Sequence, residues 1–162
     1  MTKQERIKQI QDEIQKLQVE LYQLNPYAAL PTMSNKKFGE EWSEPWILQH
    51  VPNLKKENGP GHDMRGINYP LIEVKSSRIT FDGAWTQNQL HPTQADAYLF
   101  IWYNCNEGTE QLCLISSNDL MQNCSVSQQH GDGCYSMRAT INNRKVLSKY
   151  MIPSWEKLNE MV

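Results

Sequence analysis

The sequence predicts an α+β domain in which a mixed central β-sheet is flanked by helices and preceded by an N-terminal helical arm. Three patterns carry this expectation. Apolar residues recur at alternating three- and four-residue intervals from Ile7 to Leu24, the period of a helix with one apolar seam. Leu71–Lys75 alternates with period two, and Ala97–Tyr103 is an unbroken apolar run, which are the patterns of a half-buried and a fully buried strand. Gly, Pro and Asn separate these runs at short intervals, as turns require.

Ile7, Ile14 and Leu21 occupy the a positions of a heptad frame and Ile10, Leu17 and Leu24 the d positions. Thr2 with Glu5 forms a capping box, nothing in residues 3–24 breaks a helix, and Asn25-Pro26 ends it. Branched residues early at a and leucines late at d favour a two-stranded partner; the competing reading is an amphipathic helix lying on its own domain. Residues 1–25 are therefore read as a dimerisation arm and 26–162 as the body, with residues 26–35 as a Pro-bounded linker. Phe38, Trp42, Trp46 and Ile47 predict a helix over 36–51 despite Pro45. A turn at Gly66-Ile67-Asn68 joins two short strands, the second continuing through Ile79-Thr80-Phe81. The polar run Thr86-Gln87-Asn88-Gln89 is a poor core strand and reads as a solvent loop, followed by a helical turn over 92–96. A hairpin turn around Glu107-Gly108 joins the buried strand to another over 110–116. A helix starts at Asn118, residues 123–133 read as a loop, 135–141 as a strand, and 145–162 as largely helical around Pro153.

At 162 residues the chain is long enough for one core without cross-links. No stretch of eighteen apolar residues is present and the first residues are polar, so neither a membrane span nor a signal peptide is expected, and a cytoplasmic location follows. The spacing of Cys105, Cys113, Cys124 and Cys134 matches neither a compact secreted framework nor a Cys-x2-Cys zinc site. Cys124, His130 and Cys134 are the one trio a zinc site could draw on, and reduced thiols are the expected state. The net charge of −2, from 16 basic and 18 acidic residues, is less basic than many DNA-binding domains. The charges are uneven, however: residues 79–120 hold five acids and no Lys or Arg, while residues 36–78 hold seven basic against six acidic residues.

The chemistry concentrates at Asp63, Glu73 and Lys75. In Ile72-Glu73-Val74-Lys75 the alternation of a strand sets Glu73 and Lys75 on one face, with Ile72 and Val74 packed on the other. A hairpin through the turn at 66–68 would bring Asp63 beside them. Two carboxylates suffice to hold one or two Mg²⁺ ions, because this cation keeps several waters and takes phosphate oxygens as further ligands. Such a centre neutralises charge developing on a phosphate and acidifies an attacking water, while a lysine orients that water or takes its proton. Ser76 and Arg78 follow as further phosphate donors, and Lys36, Lys37, Lys55, Lys56 and Arg65 are candidates for backbone contact, each with an ordinary solvated-surface alternative.

This arrangement resembles the PD-(D/E)xK nuclease core, and in size and layout the chain is similar to the small PvuII-like type II restriction endonucleases. The likeness covers roughly residues 60–120: Glu73-Val74-Lys75-Ser76 stands where that group has Glu-Leu-Lys-Ser, after the same interval from the Asp. Thr86-Gln87-Asn88-Gln89-Leu90-His91-Pro92 falls where it carries Thr, three histidines, Met, Asn and Pro. At the motif itself His62 replaces the family's Pro. The resemblance implies a restriction-endonuclease-like core, Asp63 and Glu73 as metal ligands, and a glutamate of the preceding helix, Glu41 or Glu40, approaching the metal. It also implies that Gln87, Asn88 and Gln89, with His91 as a further contact, read base edges in the major groove. Asn and Gln amides can pair bidentately with adenine, each pair contributing about 1–3 kcal/mol of discrimination.

The expected activity is that of a type II restriction endonuclease: sequence-specific, Mg²⁺-dependent hydrolysis of double-stranded DNA to 5′-phosphate and 3′-hydroxyl ends. Cutting both strands of a palindrome requires two sites related by a two-fold axis, so a homodimer fits. The alternatives are a structure-specific repair nickase or junction resolvase on the same core, for which a more basic chain is expected, and a non-catalytic DNA-binding or coiled-coil adaptor.

Overall fold

The computed structural model describes every residue except Asp132. In chain order, α1 (Lys3–Leu24) is followed by a short 3₁₀ turn (Leu30–Thr32), a π-helical stretch (Lys37–Ser43) that runs into α2 (Glu44–His50), then β1 (Lys55–Gly59), β2 (His62–Arg65) and β3 (Ile72–Ser77). Next come β4 (Thr86–Leu90), β5 (Ala97–Asn104), β6 (Thr109–Ser116), α3 (Ser117–Asn123), β7 (Ser127–Gln128), β8 (Tyr135–Arg138), α4 (Ile141–Ser148), β9 (Met151–Ile152) and α5 (Trp155–Met161). A six-stranded sheet has the order β1-β2-β3-β5-β6-β9, and a small sheet the order β4-β8-β7. β3 and β5 are parallel, whereas β5–β6, β2–β3 and β6–β9 are antiparallel, so the central sheet is mixed and the architecture is α+β as expected.

β5 divides the core. Leu99, Ile101 and Tyr103 point to one side, where they join Ile72, Tyr27, Leu30, Ile47, Trp155 and Leu158. Tyr98, Phe100 and Trp102 point to the other, against Trp85, Leu90, Met137 and Leu147 of the small sheet and α4. All seven residues from Ala97 to Tyr103 are buried, which explains why the run shows no alternation: both faces are dry, so both must be apolar.

Several sequence expectations are corrected. Residues 26–35 are not a spacer: Tyr27 and Leu30 are buried, and the Tyr27 hydroxyl bonds Glu110 at 2.6 Å. β3 ends at Ser77; the expected continuation through Phe81 is a bend closed by the Gly83 N–H on the Thr80 carbonyl, which swings Phe81 into the second core. The polar run Thr86–Gln89 is strand β4, because Leu90 and Gln87 are buried against β8. The strand expected over 135–141 stops at Arg138, since Thr140 caps α4 by accepting the Asn143 N–H. The segment 145–162 is interrupted by β9, an edge strand on β6, and the loop 123–133 contains the short β7. β1 is added to the hairpin on β2 through a turn in which Gly61 has φ +69°, the left-handed region where a Cβ would also meet Gln94 at 2.4 Å. No helix among the described residues is long and apolar enough to cross a membrane.

Candidate active site

The β2–β3 hairpin pairs at Met64 and Ile72 and then opens. One step further along that register sets Asp63 opposite Glu73, and side chains opposite each other across an antiparallel pair are close neighbours. Because β2 has departed, the Val74 N–H has no strand partner on that side, and the Asp63 carboxylate takes its place, accepting it at 2.9 Å. That bond holds Asp63 beside Glu73. The Lys75 Nζ lies 2.7 Å from Glu73 Oε1, and both side chains are largely covered. Across the sheet Glu73 is in register with Tyr98 and Lys75 with Phe100, so an aromatic wall backs the ionic groups and excludes water from one side.

The carboxyl of Glu73 is held above the ordinary glutamate range. Burial is the main cause; the Lys75 ammonium opposes it and the neighbouring Asp63 carboxylate reinforces it. A carboxyl whose proton is held more tightly in the folded than in the unfolded chain favours folding at acid pH. Its contribution turns into a cost as pH rises from the ordinary carboxylate range through the raised value. In metal-free buffer Glu73→Gln, which mimics the protonated group, is therefore expected to melt a few degrees above the parent at pH 8, with the difference vanishing towards pH 4. Thermal melts across that range check the sign, and a variant less stable than the parent at pH 8 would contradict it.

The three groups lie in a cleft of about 720 Å³. One wall is the stretch Asn35–Glu40 with Glu44, the other Trp85–Gln87 with Gln89. Of the two glutamates offered by the sequence, Glu40 lines the cleft and Glu41 does not, and Glu44, one helical turn beyond Glu40, lines it as well. Sequence reasoning missed Glu44, which nothing nearby in the chain marks. Its Oε2 is buried and lies 3.0 Å from Lys56 Nζ without the alignment of a hydrogen bond.

The expected backbone-contact residues are mostly engaged within the chain. Arg65 forms a two-pronged pair with Glu57, and Ser76 Oγ bonds Ser43 Oγ at 2.6 Å. Arg78 donates to the carbonyls of Leu30 and Met33 at 3.1 and 2.6 Å and to Asn35, with its guanidinium stacked over Phe38; it ties the 30–35 segment to β3. Lys55 is exposed at the start of β1, and Lys36 stands at the cleft rim.

On β4, Gln87 is buried and its amide nitrogen donates to Ser77 Oγ at 3.0 Å, whereas Asn88 and Gln89 are exposed. Three steps from Gln87 to Leu90 oppose two from Met137 to Tyr135, so β4 carries a bulge. Within it Gln89 has φ +54°, rare for a side-chain-bearing residue, and its N–H is held by Gln129 Oε1 at 2.8 Å. His91 is half-buried, and its carbonyl closes the turn onto Gln94. All four cysteines are free. His130 is exposed while Cys124 packs in the second core, and among the described residues no group of three His, Cys, Asp or Glu is gathered for a metal, so the Cys124, His130 and Cys134 zinc site is not assembled.

Two adjacent carboxylates are nevertheless a sufficient protein donor set for Mg²⁺, which takes one or two carboxylates and completes its shell with water and phosphate. Asp63 and Glu73 supply hard oxygens whose mutual repulsion a dication relieves. Comparison of the sequence with known protein families and with curated proteins finds no match.

Proposed function

We propose that the protein is a Mg²⁺-dependent, sequence-specific endonuclease of double-stranded DNA, of the type II restriction class and built on a PD-(D/E)xK-like site. The convergence of Asp63, Glu73 and Lys75 on one strand edge inside an open cleft supports this reading most directly. Asp63 and Glu73 would hold Mg²⁺, which when bound supplies Lewis-acid chemistry at the scissile phosphate. Asp63 is prevented from turning away by the Val74 N–H. Lys75, its ammonium fixed against Glu73, offers donors to a phosphate oxygen and orients the attacking water. The water oxygen bonds to phosphorus and gives up one proton to solvent, the bond to the 3′-oxygen breaks, and that oxygen takes up a proton from solvent, leaving 5′-phosphate and 3′-hydroxyl ends. Free thiols and a DNA substrate are in keeping with a cytoplasmic enzyme.

Base reading is assigned to Asn88 and Gln89, the exposed pair of the β4 bulge, rather than to the buried Gln87. Digestion of plasmid and phage DNA with Mg²⁺ tests the proposal. Discrete fragments are expected; nicks dependent on DNA structure would instead favour a nickase or resolvase, and no cutting a non-catalytic DNA-binding protein. Gln89→Ala is expected to lower discrimination between cognate and single-mismatch sites by about 10- to 100-fold, measured as a ratio of kcat/KM values. An unchanged ratio would remove Gln89 from the reading set.

A further inference from the structure

Helix α1 is the longest element of the chain, and none of its residues is buried. Its six seam residues, Ile7, Ile10, Ile14, Leu17, Leu21 and Leu24, are exposed by 40 to 76 %, so the body does not cover the seam. A single exposed Leu is unremarkable; a continuous stripe about 30 Å long is not. The helix is also firmly ended. Its Thr2–Glu5 capping box is complete. At the other end Asn25 donates through its side chain to the Cys105 carbonyl at 2.7 Å and accepts the Tyr27 N–H at 3.0 Å. Gly108, with φ +70° in the turn between β5 and β6, lies against Asn25, where a Cβ would stand 3.0 Å from its side-chain oxygen.

We propose that α1 pairs in parallel and in register with α1 of a second copy of this chain, as a two-stranded coiled coil. The flanking charges select the orientation. Next to the a positions, the g sites hold Arg6, Glu13 and Glu20, and next to the d positions the e sites hold Gln4, Gln11 and Gln18. In a parallel pair each g side chain meets the e residue of the following heptad on the other helix. Arg6 and Glu13 then meet Gln11 and Gln18, both neutral, and Glu20 has no charged counterpart, because the site that would face it is Asn25, which is buried and tied to its own body. In an antiparallel pair with the same seam, g faces g, and Glu13 of each copy is placed beside Glu20 of the other, two like-charge contacts. The parallel register also stacks Ile7 on Ile7 and Ile14 on Ile14, branched side chains at a that favour two strands. The axis of such a pair is a two-fold, so both bodies hang from the same end of the arm and their clefts are related by that axis. This inference stands on the arm alone and does not depend on the nuclease reading.

Light scattering of the full-length protein at micromolar concentration is expected to give twice the 18.9 kDa chain mass. Leu17→Lys, at a position already 64 % exposed within one chain, leaves the body folded by circular dichroism and weakens the dimer at least ~100-fold. Leu17→Cys, oxidised gently, is expected to yield a disulfide-linked dimer because parallel pairing brings each position 17 to its counterpart. A monomeric parent, a dimer unmoved by Leu17→Lys, or a Leu17→Cys protein that stays unlinked while dimeric would each overturn the proposal.

Discussion

Asp63→Ala and Lys75→Ala are each expected to reduce Mg²⁺-dependent DNA cleavage at least ~1,000-fold while leaving DNA binding within a few-fold of the parent. The separation follows from geometry. Asp63 is bonded to the backbone of β3 at one end of its carboxylate, and Lys75 is paired with Glu73; neither lies on β4, where the exposed amides sit. Asp63→Ala also leaves the Val74 N–H without its acceptor, a buried-group cost of about 1–3 kcal/mol. The stability of that variant must therefore be measured beside its rate, and Lys75→Ala, which frees no backbone group, is the cleaner kinetic test. Cleavage by Lys75→Ala within tenfold of the parent would mean that the ammonium takes no part in the reaction.

The second large effect is expected on the opposite side of the sheet. Leu99 is fully buried at the centre of β5, between Val74 of β3 and Leu114 of β6. Leu99→Ala deletes three carbons from a site walled by two strands that cannot collapse into the gap, so a loss of about 3 kcal/mol is expected. In a chain of this length that is a fall in Tm of roughly 6–12 °C. Because Leu99 faces away from Glu73 and Lys75, kcat per folded molecule is expected to stay near the parent value at low temperature. A Tm within about 2 °C of the parent would show that the first core is not part of the cooperative unit.

What was legible in the sequence was local or periodic. The arm could be read to its capping box because helix period and cap residues lie within a few positions of one another. The β5–β6 hairpin was legible because a dry strand must be apolar throughout. Asp63, Glu73 and Lys75 could be placed together because one tight turn separates them. The unread parts depend on partners far along the chain. β4 is polar by composition and is a strand only because β8, nearly fifty positions later, pairs with it. Arg78 reads as a phosphate donor until the carbonyls of residues 30 and 33 are folded against it. Glu44 faces the cleft beside Glu40 only because residues 35–44 fold over the Glu73–Arg78 stretch, a placement that no local pattern announces.

The bulge in β4 divides labour within five residues. Gln87 and Leu90 carry the packing, while Asn88 and Gln89 are lifted off the sheet by one extra position. The side chain at 88 is exposed on ordinary strand backbone, so selection can rewrite it at little thermodynamic penalty, whereas position 89, at φ +54° with its N–H bonded to Gln129, favours Gly, Asn and Asp over β-branched residues and excludes Pro. New target sequences would thus be within reach of single substitutions at 88, and a randomised library there should remain overwhelmingly folded, while one at 89 should lose its Pro and β-branched members first.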